Sequence, residues 1–338
     1  MTRPATAPSR ALGRPSPVAS PRANLPPKPA TRPLANLTIT ASLKPLAPAT
    51  LAIEAIVEHL PAKQALFADL EAILAPGAVL ATNTSSLAVS SLATGLRHPE
   101  RLLGLHFFNP APAMQLVELV PHATTSTAAL TTARSLTEAV GKTVIQCPDR
   151  PGFIVNRCAR PYYGEALAMR EEGRSASDID AAMLAAGYRL GPFQLIDLIG
   201  ADINLAATDG LAAAMHNHPR YHAFAALRAQ VASGQLGRKT GQGFLFPQDP
   251  GPAPADATAI ALRVEATLIN EACWLLAEGG TTPDGIDTAV TLGLNFPRGP
   301  FQMLAAHGPG KIRATLAALE LRTTLPGRYA PAPRLEAA

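Results

Sequence analysis

Residues 78–120 read AVLATNTSSLAVSSLATGLRHPERLLGLHFFNPAPAMQLVELV. Three apolar runs in this stretch, 78–82, 102–107 and 115–120, have the length and bounding turn residues of buried strands. A helix is predicted across 88–95, between the first two. Working upstream, 51–57 (LAIEAIV) reads as a further buried strand. Residues 61–74 read as an amphipathic helix with Pro61 near its first turn. A short strand is also predicted at 36–40 (NLTIT). Downstream, a helix across 127–140 leads to a strand from Thr143 to Cys147. Strands alternating with helices at short spacing predict an α/β, Rossmann-like parallel sheet.

Pro148 to Gly152 marks a boundary, after which the pattern is helical only. One long helix is predicted over 153–172, interrupted or kinked at Pro161, with others over 177–186, 192–208 and 219–233. An internal repeat organises this half. Glu165-Ala166, Gly173, Asp178-Ile179-Asp180 and Gly191-Pro192-Phe193-Gln194 recur as Glu271-Ala272, Gly279, Asp284-Gly285-Ile286-Asp287 and Gly299-Pro300-Phe301-Gln302. The expected organisation is an extension over 1–35, a partial sheet domain over 36–148, and two all-α helical domains, 149–248 and 256–330. The two helical units are expected to pack together or to mediate dimerisation.

Composition excludes several classes. No apolar run reaches membrane-spanning length. The net charge of +4 comes from residues 1–53, which carry seven Lys/Arg and no Asp or Glu; the remainder is mildly acidic, so nucleic-acid binding is not expected. Cys147, Cys158 and Cys273 lie far apart without metal-ligand spacing, which fits a reducing, cytoplasmic setting and no metal site. Nine prolines within residues 1–35 predict a disordered or extended segment, and they disfavour the amphipathic helix of a transit peptide.

The densest chemical signal is Gly104-Leu-His106-Phe-Phe-Asn109-Pro110 with Glu118 beyond the turn. Ligands of open α/β sheets bind beyond the strands' carboxyl ends, and an imidazole there can move a proton near neutral pH. A returning strand brings Glu118 beside His106, fixing the ring's tautomer and freeing its other nitrogen as base. A core histidine satisfied by a carbonyl remains the plain alternative. Asn83-Thr84-Ser85-Ser86 follows a strand directly and suits either ligand contact or helix capping. Asn156, in Pro151-Gly152-Phe-Ile-Val-Asn156-Arg157, either faces an interdomain cleft or belongs to an ordinary helix start. Glu54, Glu58 and Lys63 surround a strand end, where surface charges are the default.

Together these segments resemble the 3-hydroxyacyl-CoA dehydrogenase family, on NTSSL at 83–87, GLHFFNP at 104–110, LVE at 116–118 and PGFIVNR at 151–157. Gly191-Pro-Phe193 and Gly237-Arg-Lys-Thr-Gly-Gln-Gly-Phe244 resemble its C-terminal helical domain, and the second copy resembles the subgroup in which that domain is duplicated. The resemblance implies oxidation of (3S)-3-hydroxyacyl-CoA to 3-oxoacyl-CoA with NAD, in fatty-acid or aromatic-acid β-oxidation. It implies His106 as base, Glu118 as its partner, and Ser85 and Asn156 as substrate contacts. It sets Glu58, Lys63, Asn83, Ser85 and Asn109 near the cofactor. A homodimer through the helical domains is also implied.

One part of the pattern is missing. The family's first strand and Gly-x-Gly-x-x-Gly turn have no counterpart, since Gly13 and Gly77 are the only glycines before residue 95. The expectation is therefore a Rossmann-like domain lacking its first βαβ unit, with residues 51–57 left as an apolar sheet edge. A displaced start or altered reading frame would produce that pattern. Two alternatives follow: a non-catalytic acyl-CoA-binding or dimerisation remnant, and a truncated product without a stable fold.

Overall fold

The computed structural model describes residues 36–336; the expectations for residues 1–35 lie outside them. Residues 43–336 belong to one compact body. The short stretch before it, 36–42, forms no strand: Thr40 Oγ1 and Ser42 bond one another locally, and no ladder partner takes up the backbone. The strand expected at 36–40 is thus corrected, because apolar alternation without a neighbouring strand leaves its amides to local turns.

Among the described residues the sheet has five strands: β1 (Leu51–Glu54), β2 (Val79–Thr82), β3 (Leu102–Phe107), β4 (Leu116–Val120) and β5 (Thr143–Gln146). Their spatial order is the sequence order. β1, β2 and β3 run parallel, as the pattern predicts. β4 returns antiparallel to β3, and β5 runs parallel to β4, so the sheet is mixed. Only the eight residues from Phe108 to Gln115 separate β3 from β4, too few for a helical crossover. Among the described residues β1 is an edge strand, and Ile53 is 46% exposed.

Among the described residues three helices belong to this half: α1 (Leu60–Ile73), α2 (Val89–Ala93) and α3 (Thr127–Ala139). Ser126 caps α3 by accepting from Ala129 N. The strands' period of two sorts the core. Val79, Ala81, Leu103, Leu105, Val117 and Leu119 face Ala129 and Ala133 of α3. The alternate residues Leu80, Leu102, Leu116 and Val120 face the opposite way, into the larger core shared with the helical half. His106 and Glu118 fall in that second set of positions, on the face that meets the helices.

The helical half comprises α4 (Val155–Glu171), α5 (Ala176–Ala185), α6 (Pro192–Ile199), α7 (Ala201–Ala214), α8 (Ala225–Ala232), α9 (Ala257–Ala277), α10 (Pro283–Leu294), α11 (Pro300–His307), α12 (Pro309–Glu320) and α13 (Pro333–Glu336). Pro161 sits inside α4. The repeat is visible in matching hydrogen bonds. Asp180 accepts from Phe193 N and Gln194 N at 3.0 and 2.7 Å; Asp287 accepts from Phe301 N and Gln302 N at 2.8 and 3.1 Å. A Cβ on Gly191 would lie 2.2 Å from Asp180 Cγ, and one on Gly299 would lie 2.3 Å from Asp287 Cγ. The repeated glycine and aspartate are therefore one device, a carboxylate seated against a helix start.

The two copies are joined by ion pairs that cross between them. Arg157 on α4 binds Glu271 at 2.6 Å and grips Glu278 with both terminal nitrogens, at 2.7 and 2.6 Å. Arg263 on α9 does the same to Glu165 and Glu172, at 2.6 Å each. Tyr221 and Arg220 complete the first cluster on Glu271; Tyr329 and Arg328 complete the second on Glu165. Arg157 and Glu165 are fully buried. Burial alone would lower both arginines, but their carboxylates outweigh it and hold each guanidinium well above its ordinary pKa.

Candidate active site

His106, near the end of β3, stands directly opposite Glu118 of β4 in the antiparallel ladder. Their side chains meet through Nδ1 and Oε2 at 2.7 Å. Glu118 is fully buried, and its other oxygen accepts from Ile154 N and Val155 N at the start of α4, each at 2.9 Å. The carboxylate is therefore saturated by one imidazole and two amides at a helix N-terminus, where negative charge is favoured. Such a partner requires the proton on Nδ1 and leaves Nε2 as acceptor. Among the described residues Nε2 has no protein partner. Phe108 and Phe153 flank the ring, with centroids 4.6 and 5.7 Å away.

His106 lines a cavity of about 870 Å³. Ser85, Asn109 and Asn156 line it as well, and so do Leu195 and Ile203 of α6 and α7. Copy two contributes the segment from Gly293 to Phe296. Asn156 Nδ2 reaches Ser85 O at 3.4 Å, joining α4 to the loop after β2. Among the described residues the hydroxyl of Ser85 and the side-chain amide of Asn109 bond to no protein group. The structure thus brings His106, Glu118, Ser85, Asn109 and Asn156 together around one space.

Asn83, Glu58 and Lys63 stand behind that space rather than on its wall. Asn83 Oδ1 accepts from Phe107 N at 2.8 Å, tying β2's end to β3's end. Glu58 Oε1 accepts from Thr84 Oγ1 at 2.5 Å and Ser86 Oγ at 2.8 Å, and from the amides of Ser85 and Ser86 at 3.3 and 3.2 Å. Burial would raise the Glu58 carboxyl, but bonds from Thr84, Ser86 and Lys63 outweigh it and hold it below the usual carboxylate range. Lys63 is 1% exposed, with its ammonium 2.7 Å from Glu54 and 3.1 Å from Glu58. Glu54 also accepts from Thr82 Oγ1 at 2.8 Å. The default reading of Glu54 and Lys63 as surface charges is corrected here: they form a buried ion pair that braces Glu58, which in turn shapes the 84–86 turn.

Sequence reasoning missed Arg160, Asn204 and Thr208, three more residues of this region. Arg160 and Asn204 line the cavity. A charged residue four positions after Asn156, on the same helix face, was the available signal.

A Rossmann-like sheet whose strand ends offer a carboxylate-backed imidazole, opening on a cavity shared with a helical half, is the layout of a nucleotide-dependent dehydrogenase. The chain belongs to the 3-hydroxyacyl-CoA dehydrogenase family, whose NAD-binding-domain model matches residues 20–150 and whose C-terminal-domain model matches 152–246 and 260–338. The first match opens inside the stretch read above as an extension. Among solved structures, 3-hydroxybutyryl-CoA dehydrogenase from Escherichia coli K12 is 31% identical, with a TM-score of 0.81, covering 88% of this chain and 83% of that one. FadB2 of Mycobacterium tuberculosis is 40% identical over 62% of this chain and 75% of its own, with a TM-score of 0.60. The (S)-3-hydroxybutyryl-CoA dehydrogenase PaaH1 from Ralstonia eutropha is 35% identical over 61% and 73%, with a TM-score of 0.59. Among the described residues no helix is long and apolar enough to cross a membrane.

Proposed function

We propose that this chain oxidises (3S)-3-hydroxyacyl-CoA to 3-oxoacyl-CoA with NAD. The observation that carries the reading is the unpartnered Nε2 of His106, held by Glu118 at 2.7 Å on its far side and facing the cavity. Nε2 takes the proton of the 3-hydroxyl group. Glu118 keeps the ring in the required tautomer and stabilises the imidazolium that forms. Ser85 and Asn156 hydrogen-bond the substrate beside the reacting carbon and thioester. NAD, when bound, accepts the hydride from C3.

The residues at the nicotinamide end fit that group: Ser85 and Asn109 offer unpaired polar atoms toward the cavity that His106 lines. Asn83, Glu58 and Lys63 act behind them, by fixing the loop after β2. The pyrophosphate end does not fit, because no glycine-rich turn precedes residue 95 in the sequence. This same feature favours a second reading, a chain that binds acyl-CoA without turnover. The domain division at 36–148, 149–248 and 256–330, dimerisation through the helical domains, and a place in fatty-acid or aromatic-acid β-oxidation are part of the proposal.

The test is a fluorescence titration of NADH into purified protein, with and without acetoacetyl-CoA. Saturable NADH binding with turnover supports the dehydrogenase. Acyl-CoA binding without NADH binding supports the second reading and overturns the first.

A further inference from the structure

We infer that Arg150 is a positioning residue for the His106–Glu118 pair: it fastens the linker turn to the second helical copy, and that turn carries the amides that orient Glu118. The inference deepens the functional reading above, because Arg150 acts on the proposed base through this turn.

The turn runs from Arg150 to Phe153, where Phe153 N donates to Arg150 O at 3.0 Å. Gly152 and Phe153 both take the left-handed region, with φ of 75° and 46°. Glycine does so freely, but a phenylalanine there is strained and persists only where its surroundings hold it. Gly152 has no room for a side chain either, since a Cβ would lie 3.0 Å from Arg157 N. Phe153 is 3% exposed, and its ring flanks His106. The next two amides, Ile154 N and Val155 N, bond Glu118 Oε1 at 2.9 Å each. A relaxed turn would carry both amides away from Glu118, and the carboxylate would lose its fixed orientation toward His106 Nδ1.

Two consecutive side chains fasten this linker to two different parts of the structure. Asp149 accepts from Val89 N and Ser90 N at 2.8 Å each, which ties it to α2. Arg150 reaches the end of α9, in copy two. Its Nη2 donates to Glu278 O at 2.6 Å and its Nη1 to Gly279 O at 3.0 Å. Nη1 also lies 3.4 Å from Glu278 Oε2. The last carbonyls of a helix lack partners within it and sit at the negative end of its dipole, so a guanidinium suits them. Copy two leaves space for the linker: Gly279 and Gly280 have φ of 78° and 82°, and a Cβ on Gly280 would lie 3.3 Å from Pro148. Arg157, in the first turn of α4, grips the same Glu278 carboxylate. The end of α9 therefore holds the chain just before the turn, at Arg150, and just after it, at Arg157. The Arg150 side chain is 32% exposed, so its ion pair adds little to folding, and an effect on the site is separable from one on stability.

The experiment compares wild type with Arg150→Met, Arg150→Lys and, as a control, Arg228→Met, which removes the exposed Arg228–Asp209 pair between α8 and α7. Acetoacetyl-CoA reduction by NADH gives kcat and KM separately. Nitrogen NMR reports which ring nitrogen of His106 carries the proton, its signals being assigned by their loss in His106→Ala. Thermal melting verifies folding. Displacement of the turn predicts a kcat about 10- to 100-fold lower in Arg150→Met, with KM within about threefold of wild type. The ring proton, held on Nδ1 in wild type, becomes shared with Nε2 in that variant. Arg150→Lys, whose ammonium still donates to the two carbonyls, restores part of both properties. Arg228→Met changes neither. A folded Arg150→Met with kcat within about twofold of wild type overturns the inference, as does a change confined to KM. A loss of kcat with the ring proton unmoved also overturns it, because Arg150 then has a structural role alone. If wild type does not turn over, the dehydrogenase reading fails, while the ring proton still decides whether Arg150 positions the pair. Arg150→Gln takes the place of Arg150→Met should the latter not fold.

Discussion

Replacing Glu118 with Gln perturbs the site through three hydrogen bonds at once. The carboxylate accepts from His106 Nδ1 at 2.7 Å through Oε2, and from Ile154 N and Val155 N at 2.9 Å through Oε1. A glutamine has one acceptor oxygen and one donor nitrogen in these places. If its oxygen keeps the two amides, its NH₂ faces Nδ1, which must then accept; the ring proton moves to Nε2, and the base is lost. If the amide is reversed, the NH₂ faces two N–H donors in a fully buried position. Loss of one charge-assisted bond alone corresponds to about 1.5–3 kcal/mol, or about 10- to 150-fold in kcat/KM. Inversion of the tautomer takes the loss toward about 10⁴-fold. The assay is reduction of acetoacetyl-CoA by NADH across pH, with thermal melting on the same samples. A variant that stays folded and within about threefold of wild-type kcat/KM refutes the tautomer argument.

Other perturbations test other parts of the account. Arg157→Met leaves buried Glu271 with Arg220 and Tyr221 but without its shortest guanidinium bond, so chemical denaturation should show a loss of about 1.5–3 kcal/mol. Arg160→Met removes a cation that is 9% exposed and, among the described residues, bonds uncharged groups alone, so its melting temperature should equal or exceed that of wild type; a fall like that of Arg157→Met contradicts this. Burial, with a smaller push from Asp197, raises the Asp180 carboxyl to about 7 against the pull of two amides. The folded state then holds this proton more tightly than the unfolded chain, so stability falls as pH rises from about 4 to about 7 and the loss is complete above that. Melting curves of Asp180→Asn should be flatter than wild type across this window; parallel curves rule the contribution out.

The His106–Glu118 pair was legible because two local patterns agreed. Continuous apolar runs assigned strands at 102–107 and 115–120, and the proline-bounded turn between them left room for a return that sets Glu118 opposite His106, as the antiparallel ladder does. The repeat was legible because a glycine that must admit an aspartate leaves a fixed signature, as at Gly191 and Gly299. Element ends were less so. The helix predicted over 192–208 is two helices, broken at Gly200 with φ of 109°. The one predicted over 219–233 is helical only from Ala225 to Ala232 after a short 3₁₀ turn. The strand predicted over 51–57 ends at Glu54, whose carboxylate accepts from Ile56 N and turns the chain away. Apolar content alone carries no such stop. The buried Glu54–Lys63 pair, the cross-copy arginine clusters and the unpaired Arg160 were not legible, because a charged residue shows its burial only once its distant partners are in place.

The most direct test is oxidation of (3S)-3-hydroxybutyryl-CoA by NAD, followed through NADH absorbance in wild type and in His106→Ala, with acyl-CoA binding measured in parallel. The account predicts turnover in wild type, a loss of about 10²-fold or more in the variant, and retained acyl-CoA binding in both. Turnover that survives the loss of the ring, or a wild type that binds acyl-CoA yet never reduces NAD, contradicts it.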